Sequence, residues 1–478
     1  MTTSAGHTTR GPVKPAAHGT PGNDALLARA DDPEFVRFLT GWLGELLGGD
    51  VMSVTPVVAG TRASWSVDVR RDGQDVRVIV RQTRDTLQIY GDASRETKIY
   101  AALGPTGVPV PAIYGIDEER RLVAAQRVPG TDDLRGLDPA TREAVSDSLM
   151  RHIAELHALN PFTLDLPEMA VPATPQENTT LDVDHWQSFH CANAPANPVV
   201  TYACNWLRRN ASANVPRTVL VQGDTGPGNF VQHEGVVTAV VDWELSHLGD
   251  PYEDLGWIVA RSLLFPFGDL RHRFEVYAEA SGLPFDRARI WHGAVAAMVK
   301  ILIAGDVVRA QGHDDPQYPI MVSGPAFHGR LVVHALHDLA GVPLQPIRLE
   351  AVEPTGSERE GSLSFVRTTL RERLLPSLAV DPYQIAQAKA ALRTVRHLQQ
   401  GERYDAPIEV QETQELTALL GSDVGTGAEG RRALADQLNA GTVDDAAALA
   451  YLGRHVQRET VRMAELLGPM ATTSLPTF

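Results

Sequence analysis

Residues 221–255 read VQGDTGPGNFVQHEGVVTAVVDWELSHLGDPYEDL, and the rest of the chain is best understood outward from this stretch. Phe230 to Gln232 and Val236 to Val241 are β-prone runs, and His233-Glu234-Gly235 between them has turn chemistry, which predicts a tight hairpin. A hairpin returns its second strand to where the first began. Asn229, just before the first strand, and Asp242, just after the second, are therefore expected side by side. Asp224 lies five residues upstream of Asn229, in a Gly/Pro-rich loop that cannot be helix interior. One carboxylate beside an amide–carboxylate pair suits a hard cation together with a hydroxyl that needs orienting. Magnesium takes one or two carboxylates and leaves its other positions to water and phosphate oxygens. The separate aspartate can align or deprotonate an attacking hydroxyl.

Working outward, Phe35, Phe38, Leu39, Trp42, Leu43 and Leu46 recur at helical spacing, with Asp32-Pro33 as cap and first turn. Three β-prone segments follow, Val54–Val58, Trp65–Val69 and Val76–Val80, and Asp72-Gly73 between the last two is a hairpin signal. Ala93–Leu103 reads as a helix ended by Gly104-Pro105, and Val108–Tyr114 and Leu122–Ala125 read as two more strands. From Asp138 onward the period is helical except at the hairpin. Prolines and glycines from Pro343 to Gly361 mark a linker. Beyond it, stripes such as Ile385, Ala388, Leu392, Val395 and Leu398 predict a separate helical bundle that carries no catalytic constellation. The expected fold class is α+β. Residues 1–30 form a disordered leader, 31–128 a small β-rich lobe, 129–345 a large, mainly helical lobe, 346–362 a linker and 363–478 the bundle.

A chain of 478 residues exceeds one ordinary core. Acidic residues outnumber basic ones by 59 to 43 with no basic run, which argues against a nucleic-acid or anionic-membrane partner. No run reaches the length of a membrane span, and the leader lacks the apolar stretch of an export signal. The cysteines, Cys191 and Cys204, lie outside metal-ligand spacing and read as reduced, buried thiols of a cytoplasmic protein.

Gly223-Asp224, then Asn229, the hairpin, Asp242-Trp243-Glu244 and finally His247-Leu248-Gly249-Asp250-Pro251 with Asp254-Leu255 form an ordered set. It resembles the aminoglycoside phosphotransferase family of small-molecule kinases. More narrowly, it resembles the branch related to kinase domains fused to acyl-CoA dehydrogenases, here with an added C-terminal helical domain. The resemblance implies a two-lobed protein-kinase-like fold, in which residues 31–128 are the nucleotide-binding lobe. By it, Asp224 is the catalytic aspartate, Asn229 and Asp242 are the metal ligands, and Asp250 and Asp254 support the loop. The family has His before Gly-Asp where this chain has Gln222, whose amide can still donate and accept hydrogen bonds.

The resemblance also assigns the nucleotide site. Gly60-Thr61-Arg62-Ala63-Ser64-Trp65 resembles the loop that covers the phosphates in this branch, which implicates Thr61 and Ser64. Arg81, ending the third strand, stands where kinases grip the phosphates, with Arg84 in its place if the register slips. An arginine fork can hold two phosphate oxygens at once. Glu96 is the implied carboxylate that steadies Arg81. Leu122–Gly130, LVAAQRVPG, resembles the hinge, whose backbone around Gln126–Val128 would bond the base. No G-x4-G-K-[ST] occurs, so a P-loop is disfavoured. His157, in a Leu-His-x-Leu match on a helix, reads as a packing or capping residue. Residues 160–214 fall where the family places its substrate-facing helices.

These features imply a phosphotransferase with an alcohol group as acceptor: a Mg²⁺-dependent kinase moving the γ-phosphoryl group of ATP (or GTP) to a small-molecule hydroxyl. The alternative is a catalytically weak kinase-like nucleotide-binding module with an interaction role, marked by Gln222. A metal-dependent phosphohydrolase needs a cage richer in His and Asp than this loop offers. The fold does not select the acceptor, so aminoglycosides, macrolides, choline-like alcohols and hydroxyacyl thioesters all stay open, as does the oligomeric state.

Overall fold

In the computed structural model, residues 32–57, 64–82, 89, 93–311, 318–378 and 382–478 are described. Helix α1 (Pro33–Leu47) is capped by Asp32, whose carboxylate accepts from Glu34 N–H, and ends at Gly48 with φ 64°. Its Leu39, Leu43 and Leu47 pack on a five-stranded antiparallel sheet: β1 (Asp50–Val57), β2 (Ser64–Arg71), β3 (Gln74–Gln82), β4 (Ile113–Asp117) and β5 (Leu122–Gln126), in the order β1-β2-β3-β5-β4. Trp65, Val67 and Val69 of β2 and Val78 and Val80 of β3 alternate toward the helix and are buried, as the two-residue period of a strand requires. Each such side chain contributes about 1.5–3 kcal/mol. The β2–β3 turn is Asp72-Gly73, with φ of 51° and 77°, the signature of a two-residue primed turn. Helix α2 (Ala93–Leu103) follows the sheet's third strand, but its Ile99, Tyr100 and Leu103 are buried in the core of the large lobe.

That lobe comprises α3 (Pro139–Ala158), α4 (Glu177–Asn193), α5 (Pro198–Arg209), α6 (Pro251–Ser262), α7 (Leu270–Ser281), α8 (Arg287–Gln311) and α9 (Tyr318–Ala340). Four short strands, β6 (Val219–Val221), β7 (Phe230–His233), β8 (Val236–Val240) and β9 (His247–Gly249), lie between α5 and α6. β7 and β8 are the expected hairpin, turning at Glu234-Gly235 with φ of 51° and 84°. β6 pairs antiparallel with β9, Val221 opposite His247, so both ends of the decisive stretch are clamped together. The segment leaving β5 bonds to the hairpin through Thr131 N–H to Gln232 O (3.0 Å) and the reverse pair (2.9 Å). Helices α6 and α8 meet at glycines: a Cβ on Gly256 would lie 2.0 Å from the Gly293 carbonyl carbon, so any side chain there would force the helices apart.

Residues 341–357 have no regular secondary structure. Beyond them run α10 (Glu358–Thr368), α11 (Pro382–Leu420), α12 (Gly427–Ala440) and α13 (Asp445–Arg462). These helices do not close a core of their own. Leu416, Leu434, Leu449, Leu452 and Val456 belong to the same continuous core as the large lobe. Asn205 Nδ2 donates to Leu438 O (3.2 Å), Arg209 pairs with Asp445 (2.8 Å), and His337 Nε2 meets Leu449 O (3.1 Å). Apolar spacing shows that a helix face is buried without showing against what, which is why the segment reads as separate in sequence. No described helix is long and apolar enough to cross a membrane.

Candidate active site

Asp250 opens α6, accepting from Tyr252 N–H (3.0 Å) and pairing with Arg289 at 2.6 Å. One turn later the fully buried Asp254 faces residues 222–225. Its carboxylate accepts from Gln222 N–H (2.9 Å), Gly223 N–H (3.1 Å) and the Thr225 hydroxyl (2.6 Å), and meets His157 Nε2 at 3.0 Å. The Asp254 carboxylate can only accept, so Nε2 of a neutral His157 carries the ring proton and Nδ1 accepts from the Tyr277 hydroxyl (2.8 Å), whose pKa burial holds far above its ordinary value. Charge-assisted bonds such as those to Asp254 contribute about 1.5–3 kcal/mol each, and together they set the backbone that carries Asp224.

Arg261, seven residues after Asp254 on the same helix, grips this loop from the other side. Its Nη1 donates to both carboxylate oxygens of Asp224 (2.6 and 2.7 Å), its Nε donates to Pro227 O (2.7 Å), and its Nη2 lies 3.4 Å from Asn229 Oδ1. Asn229 Nδ2 donates to the Asp224 backbone carbonyl (2.8 Å) and to Asp224 Oδ2 (2.6 Å). The glycines flanking Pro227 make room. A Cβ on Gly226 would lie 3.2 Å from Arg261 Cβ, and one on Gly228 would lie 2.7 Å from Arg261 Nη2. Burial pushes the Asp224 carboxyl above its ordinary range and the Asp242 charge adds to this, while the Arg261 guanidinium opposes both. The Asp224 side chain nonetheless stays 21% exposed, so water softens the burial effect and a second molecule can reach it.

Asp242 leaves the hairpin with φ 67°, a left-handed conformation uncommon for a residue with a side chain. Its N–H donates to the Tyr100 hydroxyl (3.1 Å), and its carbonyl accepts from Gln222 Nε2 (2.6 Å). Gln222 Nε2 also donates to Val241 O (3.0 Å), while its Oε1 accepts from Asp224 N–H (2.8 Å); the Thr225 hydroxyl lies 3.0 Å from that Oε1, but its one proton goes to the Asp254 carboxylate at 2.6 Å. The glutamine thus satisfies three partners at once, the Val241 and Asp242 carbonyls and the Asp224 N–H. A neutral imidazole offers one donor and one acceptor. Asp224, Asn229 and Asp242 are accordingly brought together: the first two bond directly, and the third is tied to their loop through Gln222.

Between the lobes a cavity of about 160 Å³ is lined by Arg81, Glu96, Tyr100, Val123, Val128 and Val231, among others. Ser64 starts β2 directly opposite Arg81 in the ladder. Thr61 and Arg84 lie outside the described residues. Glu96 accepts from Trp243 N–H (3.1 Å) and the Tyr100 hydroxyl (3.4 Å); no ion pair joins it to Arg81 among the described residues. The N–H groups of Gln126 and Arg127 are committed to Ala112 O (2.7 Å) and Arg77 O (3.0 Å). Burial and the Glu96 charge raise the Tyr100 hydroxyl well above its ordinary pKa against the pull of Arg81, so it stays protonated.

Sequence reading missed Arg261 and Tyr100, although helical periodicity held a signal for each: seven residues after Asp254, and four after Glu96. A second group also stands out. Asp182, His247 and Glu253 are buried with ligand atoms all within 4.8 Å of one another. The Lys300 ammonium bonds both Asp182 and Glu253 there, and their charges keep its pKa raised even though burial alone would lower it. The lysine supplies the cation at that place.

A small antiparallel lobe, a larger helical lobe and an Asp-x4-Asn loop followed by a hairpin and Asp242 define a two-lobed, protein-kinase-like protein. The comparison with known families agrees: residues 54–291 match the Phosphotransferase enzyme family. It is 33% identical over 173 residues to acyl-CoA dehydrogenase family member 11 of Homo sapiens, and 28% identical over 177 residues to family member 10 of Mus musculus. Each match covers 34% of this chain, and the chain spans only 22% and 16% of those relatives. Among solved structures, choline kinase LicA from Streptococcus pneumoniae is similar, with 16% identity over 64% of this chain and 99% of that one and a TM-score of 0.47.

Proposed function

We propose that the chain is a Mg²⁺-dependent kinase that transfers the γ-phosphoryl group of ATP (or GTP) to the hydroxyl of a small molecule. One observation carries the reading: Asp224 and Asn229 are bonded side by side, and Asp242 is fastened to the same loop by Gln222. Tyr100 and Val241, which both border Asp242, line the interlobe cavity with Arg81. The donor set fits magnesium. The Asp242 carboxylate and the Asn229 amide oxygen are hard oxygen donors. Asn229 Nδ2 is spent on Asp224, and its Oδ1, which takes one long bond from Arg261 Nη2 (3.4 Å), keeps a second lone pair for a cation. When bound there, the ion would neutralise charge on the nucleotide phosphates.

The remaining work belongs to the chain's own residues. Arg81 holds the non-transferred phosphates, with Ser64 beside it and Thr61 in the covering loop. Val128 and Gln126 border the base. Asp224 aligns the acceptor hydroxyl and takes its proton as the phosphoryl group leaves the nucleotide. Of the Asp224 oxygens, Oδ2 already accepts two bonds and Oδ1 one, so Oδ1 has the larger spare capacity for a hydroxyl. Gln222 fully braces the loop, which supports an active enzyme over a passive nucleotide-binding module. A cytoplasmic setting belongs to the same proposal and is supported by two free thiols, one of them exposed.

The test is a nucleotide-consumption screen over hydroxylated metabolites and antibiotics, with Asp224→Asn as the blank. An acceptor should raise ADP release by the wild type. The variant should be about 10²–10⁴ slower, the usual scale of general acid–base work, with its nucleotide affinity nearly intact. Equal turnover by both proteins would remove Asp224 from the mechanism.

A further inference from the structure

We propose that Tyr100 is a positioning residue for the metal-binding carboxylate: its hydroxyl holds the Asp242 backbone in its left-handed conformation, so the seating of α2 sets where that carboxylate points. The inference rests on the reading of Asp242 as a metal ligand and adds to it a route by which the nucleotide-binding cleft controls the metal site.

Four non-glycine residues have positive φ among those described. Asp72 and Glu234 occupy hairpin turns, and Arg121 lies in the turn before β5. Asp242 alone of the four follows a strand outside any such turn, so its conformation must be imposed by neighbours. The neighbours are identifiable. On one side, Gln222 of the catalytic loop holds the carbonyl of residue 242 at 2.6 Å. On the other, Tyr100 accepts from the Asp242 N–H at 3.1 Å and Glu96 accepts from the next amide at 3.1 Å. Arg95, also on α2, donates to Glu244 O (3.2 Å) and to Ser246 O. One helix thus holds the backbone of residues 242 to 246 at four points.

Helix α2 is also part of the nucleotide cleft. Tyr100 and Glu96 line the cavity beside Arg81, and both are buried, at 6% and 8% exposure. A nucleotide entering the cleft meets the same helix that holds Asp242. The Tyr100 hydroxyl accepts from Asp242 while lying 3.4 Å from the Glu96 carboxylate as donor. Phenylalanine at this position would keep the ring packing and delete only the brace. The Asp242 N–H would then lack its acceptor, and the residue would relax toward ordinary φ and carry its carboxylate with it.

The experiment is calorimetric titration of the full-length chain and its Tyr100→Phe variant with ADP in excess chelator, and then with Mg²⁺ at saturating ADP. The variant should bind Mg²⁺ about 3- to 10-fold more weakly, the size of one hydrogen bond, while its chelator-phase ADP affinity changes by less than that because the ring packing is kept. Unchanged Mg²⁺ affinity would overturn the proposal. So would an equal loss of metal-free ADP affinity, which is the mark of a packing role. A wild type that binds ADP without any response to Mg²⁺ would overturn the metal reading itself, and this inference with it. Amide exchange on the wild type gives a check that needs no variant: the Asp242 N–H should be protected, and rapid exchange there would contradict the brace even if Tyr100→Phe failed to fold.

Discussion

Replacing Arg261 with methionine should weaken the fold by an amount that depends on pH in a defined direction. The substitution keeps the aliphatic stem and removes the guanidinium. Asp224 then loses Nη1 from both oxygens and Pro227 O loses Nε. Truncating one partner of a buried pair costs about 3–5 kcal/mol. Here the two side chains remain 18% and 21% exposed, so water screens part of the loss, and about 2–3 kcal/mol is expected near neutral pH. The sign with pH follows from Asp224, whose folded pKa is already raised above the ordinary 3.8. The folded state holds that proton more tightly than the unfolded chain does, so stability from this group falls as pH rises from 3.8 through the folded value. Without Arg261 the folded value rises further. The variant's deficit should therefore be smallest below 3.8, where Asp224 is protonated in both states, and should grow toward neutrality. Urea unfolding of both proteins across that range measures it. A deficit that is absent at neutral pH, or constant with pH, would refute the ion-pair reasoning.

Two further outcomes follow from the same geometry. Asp242→Ala should abolish the Mg²⁺-dependent part of ADP binding and leave metal-free binding, read by calorimetry; full Mg²⁺ dependence in the variant would count against the ligand assignment. Gln222→Ala takes a bond from three half-buried partners, Val241 O, Asp242 O and Asp224 N–H, and should lower stability by about 1–3 kcal/mol. Gln222→His should fall between alanine and wild type because a neutral imidazole satisfies two of the three, so a histidine variant more stable than wild type would contradict this account of the loop.

What was legible in sequence was what local chemistry specifies. Asp72-Gly73 and Glu234-Gly235 each need two positive φ angles in succession, and Asp32-Pro33 is a cap followed by a first helical turn; both patterns are written in consecutive residues. The hairpin alone implied that Asn229 stands beside Asp242; the bonding of Asp224 to Asn229 is made by the Gly/Pro-rich loop and Arg261 and is not implied by the hairpin. What escaped are contacts between elements far apart in the chain. Arg261 and Tyr100 carry no motif, and their importance appears only once α6 and α2 are seated against the loop. Glu96 lines the cavity with Arg81 and also holds the Trp243 amide, a contact made by how α2 packs that no local pattern announces. The C-terminal helices have ordinary apolar stripes, and only their docking on α5 and α9 shows that they extend the large lobe's core. Lys300 between Asp182 and Glu253 is likewise invisible in a sequence that separates these residues by dozens of positions.

The most direct measurement of the central claim follows the phosphorus atom. The full-length chain is incubated with Mg²⁺ and γ-labelled ATP in the presence of a pool of hydroxylated small molecules, and the products are separated. The account predicts label on an organic phosphate ester made by the wild type and missing with Asp224→Asn. Label that stays on the nucleotide, or that appears only as inorganic phosphate at the same rate with both proteins, would contradict it.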